Sequence, residues 1–303
     1  MKKEITIQIS NEVIFRGYVF EPDCDSKGVI QICHGMAEHI ERYFEFMEYL
    51  SNNGYTVVGY DQRGHGKTAG CLENCGYMDD SNNIEVLISD VSRVNDYIRE
   101  YYPDQKIFLF GHSMGSFISQ RFVELYNGKI HGLILSGSSY NNTLIIKMGH
   151  SLSSLITKIK GRRHVSKLIH NLSLGSYNNK FKPNKTTVDW LSRSNENNVK
   201  YENDEYCGMM FSVSYYKDLT ETFSLIAKEI ELIDNDLPIF IISGDNDPVG
   251  NFGKGVITLF NKLKAVGIID LTLKLYKEGR HEMLNELNKQ EVFKDVLKWI
   301  EKH

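Results

Sequence analysis

Phe110-Gly111-His112-Ser113-Met114-Gly115 is the stretch on which the fold turns. It follows an apolar run at 106–110 and opens an amphipathic stretch at Met114, so strand, tight turn and helix succeed one another around a central serine. The two glycines of this G-x-S-x-G have a steric purpose. The turn is so sharp that a side chain at either would run into neighbouring backbone, and the serine is held out at the sheet edge.

Outward from this turn, short apolar runs predict strands at 4–10, 13–21, 28–33, 56–60, 106–110, 132–136, 238–243 and 271–276. The later runs are nearly continuous in Val, Ile, Leu and Phe, as expected of strands covered on both faces. Helical periodicity separates them at 41–52, 82–101, 114–126, 254–265 and 291–301. The alternation predicts an α/β chain: a mostly parallel, eight-stranded sheet with helices on both faces and an antiparallel pair at the N-terminus. Residues 141–236 break the pattern, reading as a string of helices with no buried strand. The chain therefore divides into core residues 1–140, an inserted segment 141–236 and core residues 237–303.

The composition sets bounds on function. At 303 residues, 41% hydrophobic and 24% charged with 5 prolines, this is a folded chain with a sizeable core. A net charge of −4 gives no field that would gather nucleic acid, so DNA and RNA are not expected partners. No apolar stretch approaches the roughly 20 residues of a membrane span, the first residues lack the apolar core of a secretory signal, and the five cysteines are odd in number and sparse. A cytoplasmic protein without disulfides is expected. Cys71 and Cys75 have a spacing that zinc uses, but no second Cys/His pair answers them, so no metal is expected there.

A serine hydroxyl is a weak nucleophile until a base takes its proton, and a histidine base works best when a carboxylate fixes its tautomer. Downstream, the apolar run 238–243 ends in Gly244-Asp245-Asn246-Asp247-Pro248-Val249, which offers two carboxylates. Asp247 lies farther into the loop, where the chain can turn back toward the serine, and is the choice; Asp245 is the alternative. His281, in Glu278-Gly279-Arg280-His281, follows the next strand and falls at the same sheet edge. The order Ser113, Asp247, His281 is that of α/β-hydrolases. His281-Glu282-Met283-Leu284-Asn285 has Asn where H-E-x-x-H needs its second histidine, which argues against zinc-protease chemistry. Acyl transfer also needs donors for an oxyanion, and the amides of Met36, after His34-Gly35, and of Met114 are expected to supply them. His34 and His39 read as residues that brace this loop.

With Asp61-Gln62-Arg63-Gly64-His65-Gly66 added, the chain resembles serine hydrolases of the α/β-hydrolase fold, of the monoacylglycerol lipase and lysophospholipase group. The resemblance rests on HGMAEHIERY (34–43), DQRGHG (61–66), GHSMG (111–115), GDNDPV (244–249) and His281, and spans the chain except the insert. It implies a carboxylic ester hydrolase acting through a seryl-acyl intermediate on a small acyl ester, monoacylglycerol or lysophospholipid, with no metal or organic cofactor. Acyl transfer to another acceptor, N-terminal peptide cleavage and plain ligand binding are the other uses of such a scaffold. It also implies that 141–236 is a mobile helical cap enclosing the acyl chain. Ser116, where the group has a third glycine, and the doubled carboxylate at 245 and 247 are departures.

Two features of the insert stand out. Leu144, Ile145, Met148, Leu152, Leu155, Ile156 and Ile159 recur at helical spacing over 143–160, and 206–216 is dense in Met and aromatics; both read as core-facing stripes. Lys158, Lys160, Arg162, Arg163 and Lys167 concentrate positive charge, a pattern usually solvated but able to meet an anionic lipid surface.

Overall fold

The computed structural model describes residues 1–11, 13–78, 85–140 and 143–303. Among them, eight strands form one sheet: β1 (Lys2–Gln8), β2 (Ile14–Phe20), β3 (Val29–Cys33), β4 (Thr56–Tyr60), β5 (Ile107–His112), β6 (Gly132–Ser136), β7 (Ile239–Gly244) and β8 (Leu271–Tyr276). Their order is β1-β2-β4-β3-β5-β6-β7-β8. β2 pairs antiparallel with β1 and β4, and every later pairing is parallel. All residues of β3 to β7 are buried, which is why those runs are mostly apolar, whereas along β1 Ile5 is partly covered, Ile7 is buried and the other positions are exposed.

Helices α1 (Phe44–Asn52), α2 (Glu85–Tyr101), α3 (Met114–Leu125), α8 (Lys254–Ala265) and α9 (Lys289–Lys302) cover the two faces. Alternate residues of each strand serve opposite cores. Leu109, Leu133, Leu135 and Ile241 pack with Val91, Ile118 and Leu259, while Phe108, Phe110, Ile134 and Ile242 pack with Phe46, Phe293 and Trp299. The expected helix at 41–52 begins as a 3-10 turn, Ile40–Tyr43, before α1. Residues 82–84 of the expected second helix, residue 141 at the expected start of the insert, and the side chain of Ile145 lie outside the described residues.

Between β6 and β7 the chain runs through α4 (Thr143–Lys160), α5 (Lys167–Leu172), α6 (Asn195–Glu202) and α7 (Val213–Glu229). α4 packs along α7, which rests on α3, with Phe117 and Phe223 edge-on at 4.5 Å. The aromatic stretch is core-facing as expected: Phe211, Tyr215 and Tyr216 are buried. The α4 stripe is only half so. Leu152 and Ile156 pack on the core, but Leu144, Met148, Leu155 and Ile159 are exposed, because α7 covers only one side of a helix that is apolar over more than one face.

Parallel pairing brings the C-terminal ends of β3, β4, β5, β7 and β8 to one sheet edge. β3 connects toward one side of the sheet and β5 toward the other, so their loops open at a topological switch point, where α/β sheets bind ligands.

Candidate active site

The turn at Ser113 follows from packing. Ser113, between β5 and α3, has φ 50° and ψ −118°, a strained conformation for a residue with a side chain. A Cβ on Gly111 would lie 2.6 Å from the Gly115 carbonyl oxygen, and one on Gly115 would lie 2.1 Å from that of Cys33. Both positions must therefore be glycine for α3 to leave the sheet so abruptly and sit against the end of β3. Ser113 itself is half-buried and anchored by its amide to the Ser136 carbonyl at 2.8 Å. The Ser116 hydroxyl, where the group has a third glycine, donates to the Ser113 carbonyl at 2.6 Å.

The turns after β7 and β8 are pressed together: a Cβ on Gly244 would fall 1.9 Å from the Gly279 carbonyl oxygen, and Asn246 N–H donates to that oxygen at 2.9 Å. This places the Asp247 carboxylate, fully buried, 2.9 Å from Nδ1 of His281. The other Asp247 oxygen accepts the Val249 amide at 2.8 Å. Asp245 instead accepts the Glu278 amide at 2.6 Å and braces the turn. A carboxylate only accepts, so Nδ1 of the neutral ring carries the proton and Nε2 is left unprotonated, with a lone pair able to accept one. Burial works to lower the His281 pKa, but the charge of Asp247 and its hydrogen bond outweigh burial and hold it above the ordinary value. The imidazole lies against the nucleophile turn, with its ring centre 4.8 Å from that of His112, the neighbour of Ser113. Gly137 makes room for it, since a Cβ there would lie 2.9 Å from its Cε1.

The loop after β3 reaches the same point, for a Cβ on Gly35 would lie 3.3 Å from that of Ser113. The Gly35 amide is engaged by Glu38 Oε1 at 2.6 Å, leaving Met36 as the next amide in the loop. Met114 opens α3, so its N–H has no acceptor within the helix. His34 braces the loop, with Nδ1 2.7 Å from the Gly35 carbonyl and Nε2 accepting the Gln62 amide at 3.0 Å. Burial lowers the pKa of His34, and likewise of His112, to about 3, so both are neutral at physiological pH. His39 bonds Asp204 of the insert at 2.8 Å.

Sequence reasoning missed a buried charge relay beneath these loops. Glu38 also accepts from Tyr43 at 2.7 Å and from Arg42 Nε at 3.2 Å, and the Arg42 guanidinium reaches Glu282, the neighbour of His281. Glu38 and Arg42 stand four apart, a spacing visible in the sequence; their partner 240 residues on is not. Among the described residues, one trio could ligate a metal, His39, Asp204 and Cys207, whose donor atoms lie within 4.8 Å of one another. Cys71 and Cys75 are both free thiols.

The chain matches the family model described as serine aminopeptidase, S33, over residues 25–288. It is 25% identical over 297 residues to the monoglyceride lipase of Mus musculus, covering 97% of this chain and 88% of that protein. It is 26% identical over 272 residues to phospholipase YtpA of Bacillus subtilis, covering 88% and 92%. Among solved structures, a thermostable carboxyl esterase from Bacillus coagulans in complex with glycerol aligns at a TM-score of 0.91 with 25% identity, over 99% of this chain and 98% of that one. The family match runs through the nucleophile turn, both carboxylates and the histidine, on an eight-stranded α/β-hydrolase sheet: the chain belongs to the serine aminopeptidase S33 family.

Proposed function

We propose that the protein is a carboxylic ester hydrolase of the lipase and esterase kind, acting on a single-chain acyl ester such as a monoacylglycerol or lysophospholipid. The observation that carries this is the buried Asp247–His281 pair, bonded at 2.9 Å, against the turn that holds out Ser113. In this reading Ser113 Oγ attacks the ester carbonyl while Nε2 of His281 takes its proton, and Asp247 stabilises the imidazolium and holds its orientation. Charge developing on the carbonyl oxygen meets the amides of Met36 and Met114; one such donor typically contributes about 3–4 kcal/mol to lowering the barrier. The imidazolium then gives its proton to the leaving alcohol. Water, activated by the same base, releases the fatty acid.

The relatives named monoglyceride lipase and phospholipase support the substrate class. In the same reading the insert is a cap over the acyl site. Its outer surface, where Leu155, Ile159, Leu168 and Leu172 are exposed beside Lys158, Lys160 and Lys167, touches anionic lipid transiently. We place the enzyme in the cytoplasm, a reading supported by its five unpaired cysteines.

A fluorophosphonate probe tests the nucleophile: wild type labels and Ser113→Ala does not. A p-nitrophenyl ester ladder, run beside monoacylglycerol, lysophospholipid and an aminoacyl p-nitroanilide, tests the substrate. Cleavage of the anilide alone would discard the ester reading. Liposome binding that ignores both anionic lipid content and salt would discard the lipid contact.

A further inference from the structure

The insert does more than lie over the site, because residues 189–193 are woven into the loop that carries the base. The Trp190 carbonyl accepts the His281 amide at 3.4 Å and the Leu191 carbonyl accepts the Glu282 amide at 2.7 Å. Arg280 reaches back to the carbonyls of Asp189 and Ser192. The fully buried Glu286 carboxylate accepts from the Arg193 amide at 3.0 Å, from Arg193 Nε at 2.9 Å and from the Arg280 amide at 2.9 Å. Within this frame the Trp190 indole leans on the imidazole of His281, ring centres 5.1 Å apart and planes 33° from parallel. Tyr177 backs the indole at 5.1 Å, and Trp190 is only 7% exposed.

A single bond from Nδ1 to Asp247 fixes one vertex of the imidazole and leaves the ring free to tilt about the N···O line. Aromatic neighbours remove that freedom, and one of them belongs to the insert. We infer that Trp190 is a positioning residue for the base, holding the plane of the His281 ring and excluding water from it, so that proton transfer at Nε2 depends on the docking of residues 189–193. The inference rests on the reading of His281 as general base.

Two tryptophans, Trp190 and Trp299, make the contact observable. An imidazolium beside an indole quenches its emission by accepting an electron, whereas neutral imidazole does not. In a Trp299→Phe protein, emission from Trp190 should rise with pH, with a midpoint matching the acid limb of kcat/KM for p-nitrophenyl butyrate. Adding His281→Gln should flatten it. In turnover, Trp190→Leu should lose about tenfold or more in kcat with a smaller change in KM, because displaced reacting groups cost rate rather than binding; Trp190→Phe, which keeps a ring, should recover most of it. Emission indifferent to pH across the limb, or a folded Trp190→Leu protein with wild-type kcat, overturns the inference while leaving a fluorophosphonate-reactive enzyme intact. A titrating emission in a wild-type protein that never labels overturns the assignment of the base, and the inference with it.

Discussion

Two ends of the inserted segment meet the core in different ways. Residues 189–208 are tied down: Arg193 and Glu286 pair beneath the base loop, the Tyr201 hydroxyl donates to the Ala37 carbonyl at 2.8 Å, and Asp204 holds His39. α4 and α5 instead turn Met148, Ile159, Leu168 and Leu172 outward, each more than half exposed. Buried polar contacts specify one arrangement, since any other leaves charges and amides unpaired in a medium that cannot solvate them. Exposed aliphatic surface specifies nothing and suits a ligand that is itself apolar and fluid. The chemistry is thus framed by the rigid end, and the proposed lipid contact is assigned to the other.

The largest effects should come from the site that residues 189–208 frame. Ser113→Ala and His281→Ala are each expected to lower kcat by about 10⁴–10⁶, with the double variant hardly worse than either single one, because the members of such a unit are not additive. Multiplicative losses in p-nitrophenyl ester turnover would mean that the two side chains do not act together. Asp247→Asn should cost about 10⁴, since an amide donates where the imidazole must also donate and so imposes the wrong tautomer. Asp245→Asn, whose side-chain oxygen can still accept the Glu278 amide, should stay close to wild type; equal losses at both positions would erase the distinction between them.

A pH profile sharpens the same contrast. His281 must be neutral to take a proton, so kcat/KM holds above its pKa and falls as pH drops through it. Because Asp247 raises that pKa against the opposing effect of burial, the acid limb should lie above the ordinary histidine value of about 6.5. In Asp247→Asn burial is opposed only by the weaker influence of the Glu282 and Glu38 charges, and whatever activity persists should show its limb at lower pH; a limb that does not move would separate the carboxylate from the titration.

Stability should divide the insert in the same way. Phe211→Ala, at a fully buried ring stacked edge-on with Tyr215 at 4.5 Å, is expected to cost about 3–5 kcal/mol in urea unfolding. Ile159→Asp, at a residue 68% exposed, should stay within about 0.5 kcal/mol and leave short p-nitrophenyl esters turning over normally, while lowering binding to anionic vesicles. Comparable destabilisation by the two substitutions would show that α4 is as firmly embedded as the stretch beneath it.

Much of the frame was legible before any coordinates. The apolar strand runs end within about two residues of β1 to β8, and the turn at Ser113 is recognisable from its glycine spacing, although only Gly111 is required by nearby residues and Gly115 is required by the approach of Cys33 from β3. The sequence favours Asp247 over Asp245 from its place farther into the loop but leaves both open, since both occupy one turn and the approach of Gly279 decides which carboxylate faces the imidazole. The α4 stripe reads as core-facing yet is only partly covered, because periodicity records that a helix is amphipathic and not how wide a face its neighbour covers.

Short-range hydrophobic pattern sets the alternation of strands and helices, local sterics set the need for Gly111 before Ser113, and the chain order of serine, aspartate and histidine is read directly, whereas the need for Gly115 comes from the packing of β3. Only the tertiary structure decided that Asp247 pairs with His281, that Arg42 links Glu38 to Glu282, and that Trp190 rests on the imidazole. Asp247 and His281 stand 34 positions apart along the chain, and Arg42 and Glu282 stand 240 apart. Formation of these contacts depends on which loops the folded sheet presses together at its edge, and no local property of the chain encodes that.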